Sequence, residues 1–318
     1  MYRYFPMFRA KSLLGGNPIV YDLTELPQVV SILPSYEPIV RDLESVGRVL
    51  LRKNFGLRMT VEIQHELIQS QAWNLTARYW EVSGNQLINP DDFIAGLVGG
   101  DGWTLQNATV AEDTTPSPLG IMDAWTLTDS DNTQIGLVYQ KARPDGSLRS
   151  HIGKTALFSC FVRAEVPHTA RIDIRANASP DLNVFKDFNA RQIWERQQVR
   201  NTFDATLTTL RSSWGFIWPA PPGPSATGVI NAYRADLREI AAIPGKPDAI
   251  LSDLFSKFLR DDYEVEMTLD GGLTWRTVLL GSLERAPIEG KTIGLHTTAT
   301  FQVTDPVENV PPVLDGVW

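Results

Sequence analysis

Two long stretches of alternating apolar and polar side chains constrain the fold of this chain more than any other feature. In residues 57–68 every second side chain is apolar apart from His65, and residues 292–303 alternate in the same way apart from Thr297. Successive side chains of a strand point to opposite faces, so each stretch predicts a strand with one buried face. At ~3.3 Å per residue each strand is about 40 Å long, which exceeds the usual length of a strand.

Shorter alternating runs fill the middle of the chain. Residues 155–162 and 171–175 alternate on either side of a turn at 165–168, which predicts two antiparallel strands. Further short strands, separated by turn residues, are predicted at 103–105, 124–127, 134–139, 193–203, 214–217 and 229–240. Many short strands of this kind are typical of a β-sandwich of the jelly-roll type.

One helix is predicted in this otherwise β-rich chain. Residues 248–260 carry apolar side chains at helical spacing, with Asp248 as the N-cap. These apolar side chains are Ile250, Leu251, Leu254, Phe255, Phe258 and Leu259. Residues 263–269 and 273–280 then alternate around a Gly-Gly pair, which predicts a hairpin, because glycine readily adopts the positive φ of a tight turn.

The predicted elements divide the chain into three segments and make its fold class mainly β. Residues 1–95 and 241–318 contain long strands and too little else to bury them, so together they are predicted to form one discontinuous β-barrel or sandwich domain with the amphipathic helix. Residues 96–240 are predicted to be a β-jelly-roll sandwich inserted into that domain. Insertions at surface loops are tolerated because they disturb few contacts.

Four short motifs of the middle segment follow one another in a known order. They are Gly102-Trp103, Pro118-Leu119-Gly120 before Ala124-Trp125, the run 155–162, and Gln192-Ile193-Trp194-Glu195-Arg196. In order and spacing these motifs resemble the jelly-roll carbohydrate-binding modules of glycan-degrading enzymes and phage proteins. The resemblance implies a binding face for a glycan of a host surface.

The candidate glycan-binding residues combine aromatic rings with a charged strand face. They are Trp125, Tyr139, Arg171, Asp173 and Arg175. Flat rings stack on the C–H faces of sugars, and polar groups can hydrogen-bond to the hydroxyls. Packing or solvated surface is the alternative use of each candidate, whereas Trp103 and Trp194 are expected in the sandwich core.

The whole chain has a second resemblance, which rests on architecture. Long strands, one amphipathic helix, a hairpin with Asp-Gly-Gly-Leu-Thr-Trp at 270–275 and a nested sandwich are similar to distal tail (baseplate hub) proteins of long-tailed phages. This resemblance implies a structural virion protein of the tail tip, assembled in the host cytoplasm as a ring-shaped homo-oligomer around the tail axis. Tail-tube and tail-hub proteins are its other implied partners.

Contacts between subunits are predicted on the polar sides of the strands. The candidates are Glu62, Gln64, Glu264, Glu266 and Thr298. Because a long free strand edge would pair with foreign strands, the strands 57–68 and 292–303 are expected to pair with neighbouring copies and build the ring. The alternative is that these two strands pair with each other inside one chain.

Two other functions fit the same sequence. One is a stand-alone carbohydrate-binding protein, and the other is a tail-tube or other virion subunit with a decorating domain. The oligomeric state is the property that best separates these readings from the ring.

Composition argues against several classes of protein. The formal net charge of -8 is unlike that of a nucleic-acid-binding surface. No apolar run approaches the ~18 residues that a membrane helix needs, so membrane insertion is not expected. Cys160 is the only cysteine and is expected to be a buried packing residue. The four histidines are scattered, and neither a metal nor a cofactor is expected.

Carboxylate pairs are the candidates for catalysis, because glycoside hydrolysis needs two carboxylates roughly 5–9.5 Å apart. Asp173 could act with Asp181 or Asp187, and Glu264 could act with Glu266. No motif brings a nucleophile, a base and an orienting partner together. The chain is therefore expected not to be an enzyme, and no catalytic residue is predicted.

Overall fold

The computed structural model describes residues 5–23, 29–44, 50–68, 78–87, 103–129, 136–141, 153–164, 168–177, 183–190, 192–203, 209–216, 229–243, 247–287 and 294–306. The first nine strands are β1 (Met7–Ser12), β2 (Ile19–Asp22), β3 (Val29–Glu44), β4 (Leu50–Ile68), β5 (Arg78–Glu81), β6 (Thr104–Gln106), β7 (Ala108–Thr115), β8 (Ala124–Asp129) and β9 (Leu137–Lys141). The later elements are β10 (Thr155–Ala164), β11 (His168–Asn177), β12 (Val184–Ala190), β13 (Glu195–Thr202), β14 (Thr209–Phe216), β15 (Val229–Ala242), α1 (Pro247–Phe258), β16 (Tyr263–Thr268), β17 (Arg276–Pro287) and β18 (Gly294–Val303).

The predicted fold class is confirmed, since the described residues form a mainly β chain with one helix. The chain divides into two units, each with its own core. The central unit comprises residues 81–241, and the flanking unit comprises residues 4–80 together with 242–311. That the segments 1–95, 96–240 and 241–318 are separate folding domains stays a prediction.

The central unit is a sandwich of two antiparallel sheets. One sheet has the strand order β13-β10-β15-β8-β7, and the other has the order β12-β11-β14-β9-β6. Apolar side chains of both sheets meet in one core. Its largest fully buried members are Trp214, Phe158, Leu127, Ile172, Ile174, Ile230 and Leu237.

Two sequence-based expectations about this core are confirmed. Trp103 and Trp194 are buried, and the indole of Trp194 donates a hydrogen bond to the carbonyl oxygen of Pro116 at 3.1 Å. Cys160 lies in the core with its thiol 3.6 Å from the carbonyl oxygen of Tyr233, and burial raises the pKa of this thiol. Cys160 is thus a packing residue.

The segment before the sandwich strands also belongs to the central unit. The side-chain amide of Asn85 donates to the carbonyl oxygen of Ala235 and accepts from the backbone N–H of Leu237, both at 3.0 Å. Ser83 accepts a hydrogen bond from the backbone N–H of Glu239 at 2.9 Å, and Leu87 is buried in the core. Residues 81–87 therefore stabilise β15, fifteen residues before the boundary that the sequence predicts.

The flanking unit is a twisted antiparallel sheet with α1 packed on one face. The strand order is β5-β2-β1-β16-β17-β18-β4-β3. Ile250, Leu251, Leu254 and Phe255 of α1 are buried in one core with side chains of this sheet. The ring of Phe8 lies 4.7 Å from that of Phe301, measured between centroids. The predicted helix and its packing on the β-rich domain are confirmed. Its bounds are corrected: α1 begins at Pro247, so Asp248 lies inside the helix and is not the N-cap, and it ends at Phe258, so Leu259 follows it and is exposed.

One expectation about the long strands is wrong. β4 and β18 pair with each other, from Gly294 opposite Ile68 to Gln302 opposite Thr60. The other edge of β4 is occupied by β3, and the other edge of β18 by β17. Neither strand has a free edge for a neighbouring copy, so the alternative of pairing within one chain is the one observed. Alternation fixes which face of a strand is buried, but it does not identify the strand's partner.

β3 is the edge strand of this sheet and contains two prolines. Despite these prolines, β3 is one continuous strand of 16 residues. Pro34 lies opposite Val61 and Pro38 opposite Leu57. Because a proline has no N–H, these positions suit the side of the strand that faces away from β4. On that side β3 has no strand partner among the described residues.

We expect the fragment 81–241 to fold alone and the fragment 96–240 to melt at a lower temperature, because the shorter fragment lacks the hydrogen bonds of Ser83 and Asn85 and the buried Leu87. Circular dichroism melting curves measure the difference. Equal melting temperatures would show that residues 81–95 do not stabilise the sandwich.

We expect Phe255→Ala to destabilise the protein by about 3–5 kcal/mol, because truncation of a buried phenylalanine leaves a cavity. Phe255 is 7% exposed and lies in the flanking core. Leu259→Ala is the matched control, since Leu259 follows the same helix and is 82% exposed. Urea unfolding curves measure both changes. Equal effects of the two substitutions would contradict the observed packing of α1.

Candidate functional site

The outer face of the five-stranded sheet of the central unit brings together four of the five candidate glycan-binding residues. Ile172 and Ile174 of β11 point into the core, so Arg171, Asp173 and Arg175 lie on the opposite face. Asp173 is paired with Ser213 of β14, which is in turn paired with Tyr139 of β9. We call this surface the arginine face. Its members are Tyr139, Arg171, Asp173, Arg175, Phe185, Asp187, Arg211 and Ser213.

The fifth candidate, Trp125, does not join the arginine face. It belongs to β8 of the other sheet, is 4% exposed and lies in the core cluster. Its ring therefore offers no open face to a sugar. Leu127, two residues along the same strand, is buried in the same core, as the period of a strand requires.

Two ion pairs hold the arginine face in place. The guanidinium of Arg171 donates to both carboxylate oxygens of Asp187, at 2.7 and 3.0 Å. Arg175 Nε donates to Asp173 Oδ2 at 3.1 Å, and the hydroxyl of Ser213 donates to Asp173 Oδ1. The side chain of Asp173 is only 4% exposed, so both of its oxygens are paired where water has little access.

The aromatic rings of this face carry arginines on them. The Arg171 guanidinium carbon lies 3.9 Å from the centroid of the Phe185 ring, and that of Arg211 lies 4.7 Å from the centroid of Tyr139. Both distances are within the range of cation–π attraction. One side of each ring is thereby covered by a guanidinium, which stands where a sugar would stack.

Arg211 differs from the other two arginines of the face. Its Nε is buried and has no hydrogen-bond partner, and no ion pair joins it to a carboxylate of the described residues. Burial and the nearby charge of Arg175 lower the pKa of Arg211, although Asp173 acts in the opposite direction. The partly desolvated guanidinium of Arg211 thus lies close to that of Arg175, whose charge is already neutralised by Asp173.

Sequence reasoning missed Arg211 and Ser213 because the strand predicted here began at residue 214. The signal was present, since Trp214 points inward and alternation then places Arg211, Ser213 and Gly215 outward. Gly215 is required by space, because a Cβ there would lie 2.4 Å from the carbonyl oxygen of Gly136. The backbones of β9 and β14 approach each other closely at this point.

The candidate subunit contacts lie together on one face of the flanking sheet. Val61, Ile63 and Ala299 point into the core beneath α1, so Glu62, Gln64 and Thr298 lie on the other face. Glu264 and Glu266 of β16 are on that same face, since Val265 and Met267 are core residues. We call this surface the polar sheet face.

Side chains of the polar sheet face are hydrogen-bonded to one another. The amide of Gln64 donates to Glu62 at 2.8 Å, and Glu266 accepts from Arg9 Nε at 2.7 Å and from Lys11 Nζ at 2.6 Å. The hydroxyl of Thr277 donates to Glu264 at 3.1 Å. These hydrogen bonds hold the side chains in place on the face of the sheet where α1 does not pack.

The carboxylates considered for catalysis are engaged in ion pairs or hydrogen bonds. Asp173 is bound by Arg175 and Ser213, and Asp187 by Arg171, while Asp181 lies outside the described residues. Among the described residues, no group of three or more His, Cys, Asp or Glu could hold a metal ion. No helix of the described residues is long and apolar enough to cross a membrane.

No protein-family model matches this sequence, and no curated protein does either. Among solved structures, a xylan-binding domain from Paenibacillus barcinonensis matches over 45% of this chain and 88% of its own, with 11% identity and a TM-score of 0.33. A family 16 carbohydrate binding module matches over 48% and 99%, with 13% identity and a TM-score of 0.33. The enzymatically active domain of tailspike protein 4 of bacteriophage CBA120 matches over 49% and 21%, with 13% identity and a TM-score of 0.34. Similarity at this level carries no argument about what this chain binds.

A small cavity lies beneath α1 in the flanking unit. Its volume is about 20 Å³, which is room for one water molecule and far too little for a sugar. Its lining is apolar except for His65 and Thr297. His65 is 3% exposed and neither of its ring nitrogens has a hydrogen-bond partner, so burial lowers the pKa of His65 to about 4.

We expect the stability of the protein to fall as the pH is lowered from 7.5 to 5. In this range the unfolded chain protonates His65 near pH 6.5 while the folded chain keeps it neutral, so the unfolded state binds more protons. The loss is about 2 kcal/mol between these pH values. Urea unfolding at both pH values measures it. His65→Leu should remove this loss and His296→Leu should keep it; an unchanged pH dependence in His65→Leu would contradict the assignment.

Proposed function

We propose that this chain is a non-catalytic structural protein of a phage tail tip that forms a ring around the tail axis and carries the central unit outward to contact a glycan. The observation that carries the binding role is the arginine face, a fixed array of charged and hydroxyl groups on one sheet. A surface that merely faced solvent would not need two arginine–aspartate pairs with one carboxylate almost fully buried.

The arginine face suits a ligand rich in hydroxyls. Its groups are carried by strands and held by their own hydrogen bonds, so little ordering is required when a ligand binds. Arg171 and Arg175 supply donors, and the exposed carboxylate of Asp187 supplies acceptors, while the buried Asp173 and Ser213 hold Arg175 in place. The hydroxyl of Ser213 is buried with its proton donated to Asp173, which suits a structural role for this pair.

The polar sheet face supports the ring. β4 and β18 are paired on both edges, so contacts between copies would use side chains of the face and not the strand edges. The five candidate residues share this face, and its groups are ordered before any partner arrives. The stand-alone carbohydrate-binding protein is the second reading, favoured by the same arginine face if the chain proves to be a monomer.

Glycan binding is tested by affinity electrophoresis of the full chain in gels that contain a panel of neutral and acidic polysaccharides. We expect Arg171→Ala to reduce the retardation, because it removes the paired donor at Asp187 and the stack on Phe185. Arg196→Ala, on β13 of the other sheet, is the matched control and should be retarded like the unchanged chain. Unchanged retardation of Arg171→Ala would contradict binding at the arginine face.

Ring formation is tested by native mass spectrometry and negative-stain electron microscopy over a range of concentrations. We expect closed rings, and we expect Thr298→Lys to prevent them because it puts a long charged side chain in the middle of the polar sheet face. Leu259→Lys, at an exposed position after α1, should still form rings. A monomer at every concentration would contradict the ring and favour the stand-alone reading.

A further inference from the structure

Resting on the proposed glycan-binding role, we infer that the ligand of the arginine face is an acidic polysaccharide, whose carboxylate or sulfate group binds at Arg211. Arg211 lies on β14 between Asp173 and Tyr139 of the neighbouring strands and close to Arg175. The inference names the chemical class of the ligand and the residue that selects it.

The charges of the face do not cancel, and the surplus lies at Arg211. Arg171 is neutralised by Asp187 and Arg175 by Asp173. Asp173 is not hydrogen-bonded to Arg211, since its Oδ2 accepts from Arg175 and its Oδ1 accepts from Ser213. Among the described residues the three arginines of the face thus form ion pairs with only two carboxylates, and a ligand could provide a third.

Because the guanidinium of Arg211 is partly buried, its unpaired charge favours an anionic ligand over a neutral one. The Nε of Arg211 is buried without an acceptor, which is an unfavourable state for a charged donor. A ligand cannot reach the buried Nε, but the side chain as a whole is only half-buried, so a ligand would bind the terminal nitrogens of the guanidinium. A neutral sugar hydroxyl there would leave the charge uncompensated, whereas a carboxylate or sulfate supplies the opposite charge and can accept two parallel hydrogen bonds from the planar guanidinium.

The aromatic rings of the face point to the same ligand. Neutral polysaccharides are held largely by apolar stacking on open rings. Here Tyr139 is covered on one side by Arg211 and Phe185 by Arg171, and Trp125 is buried in the core. On this face the guanidiniums of Arg171 and Arg211 lie over the rings and take the place of a stacked sugar.

Because the net charge of the whole chain is negative, only groups close to the ligand can attract an acidic polymer. The chain as a whole has a formal net charge of -8, so it repels a polyanion at long range. At physiological salt this repulsion is screened beyond about 8 Å, whereas contacts at Arg211 are not. Acidic ligands should therefore bind through a few direct contacts and not through a broad basic surface.

The test uses the full chain and two matched pairs of polymers in affinity electrophoresis. Polygalacturonate is compared with its methyl ester, and dextran sulfate with dextran, so that each pair differs only in charge and the two pairs separate carboxylate from sulfate. We expect at least about tenfold tighter binding to one acidic polymer than to its neutral partner. We expect Arg211→Gln to abolish this difference and Arg211→Lys to restore only part of it, because lysine keeps the charge without the planar fork.

Arg163→Gln is the control, since Arg163 lies on β10 of the other sheet and also has a buried Nε without a partner. This variant should keep the preference for the acidic polymer. Equal binding of acidic and neutral polymers would overturn the inference and leave glycan binding intact. A preference that survives Arg211→Gln would overturn the assignment to Arg211. Binding to none of the four polymers would overturn both the inference and the proposed glycan binding.

Discussion

The antiparallel register between β11 and β14 is the constraint on which the central unit depends. It sets Ile172 beside Trp214 in the core and, one residue along, Asp173 beside Ser213 on the outer face. A slip of one residue would bury the charged side chains and expose the apolar ones, at a cost that no single hydrogen bond could offset. The same register therefore determines both the composition of the core and that of the arginine face.

In the flanking unit, too, one face of the sheet lies on the core and the other face is polar, but α1 takes the place of a second sheet. Asp253 of α1 accepts from the hydroxyl of Tyr21 at 2.6 Å and from Arg78 at 2.5 Å, and Lys257 lies 3.3 Å away. Burial raises the pKa of Asp253, but these hydrogen bonds and charges outweigh burial and hold the pKa below its ordinary value. This polar contact ties α1 to β2 and β5, while the apolar side of the helix fills the core. Among the described residues, the face of the sheet opposite α1 carries the polar side chains of the polar sheet face.

Many of the strands could be predicted because a half-buried strand alternates, as β4, β11, β16 and β18 do, whereas residues 156–162 of β10 are buried on both faces. β12 was not predicted. It is an edge strand whose exposed side carries Phe185, so its apolar and polar side chains do not alternate clearly. Trp125 could have been placed from the sequence, since Leu127 on the same side of β8 marks that side as apolar. The pairing of β4 with β18 and the ion pair between Arg171 and Asp187 could not, because contacts between residues far apart in the chain leave no trace in local periodicity.

The two prolines of β3 have a consequence for how copies of this chain meet. A strand of 16 residues with a complete row of amide donors would let molecules fuse into one continuous ladder, as in a fibril. Pro34 and Pro38 each remove one donor from that row. A strand of another molecule laid along β3 would lose a hydrogen bond at both positions, so the edge is a poor template for extending the sheet.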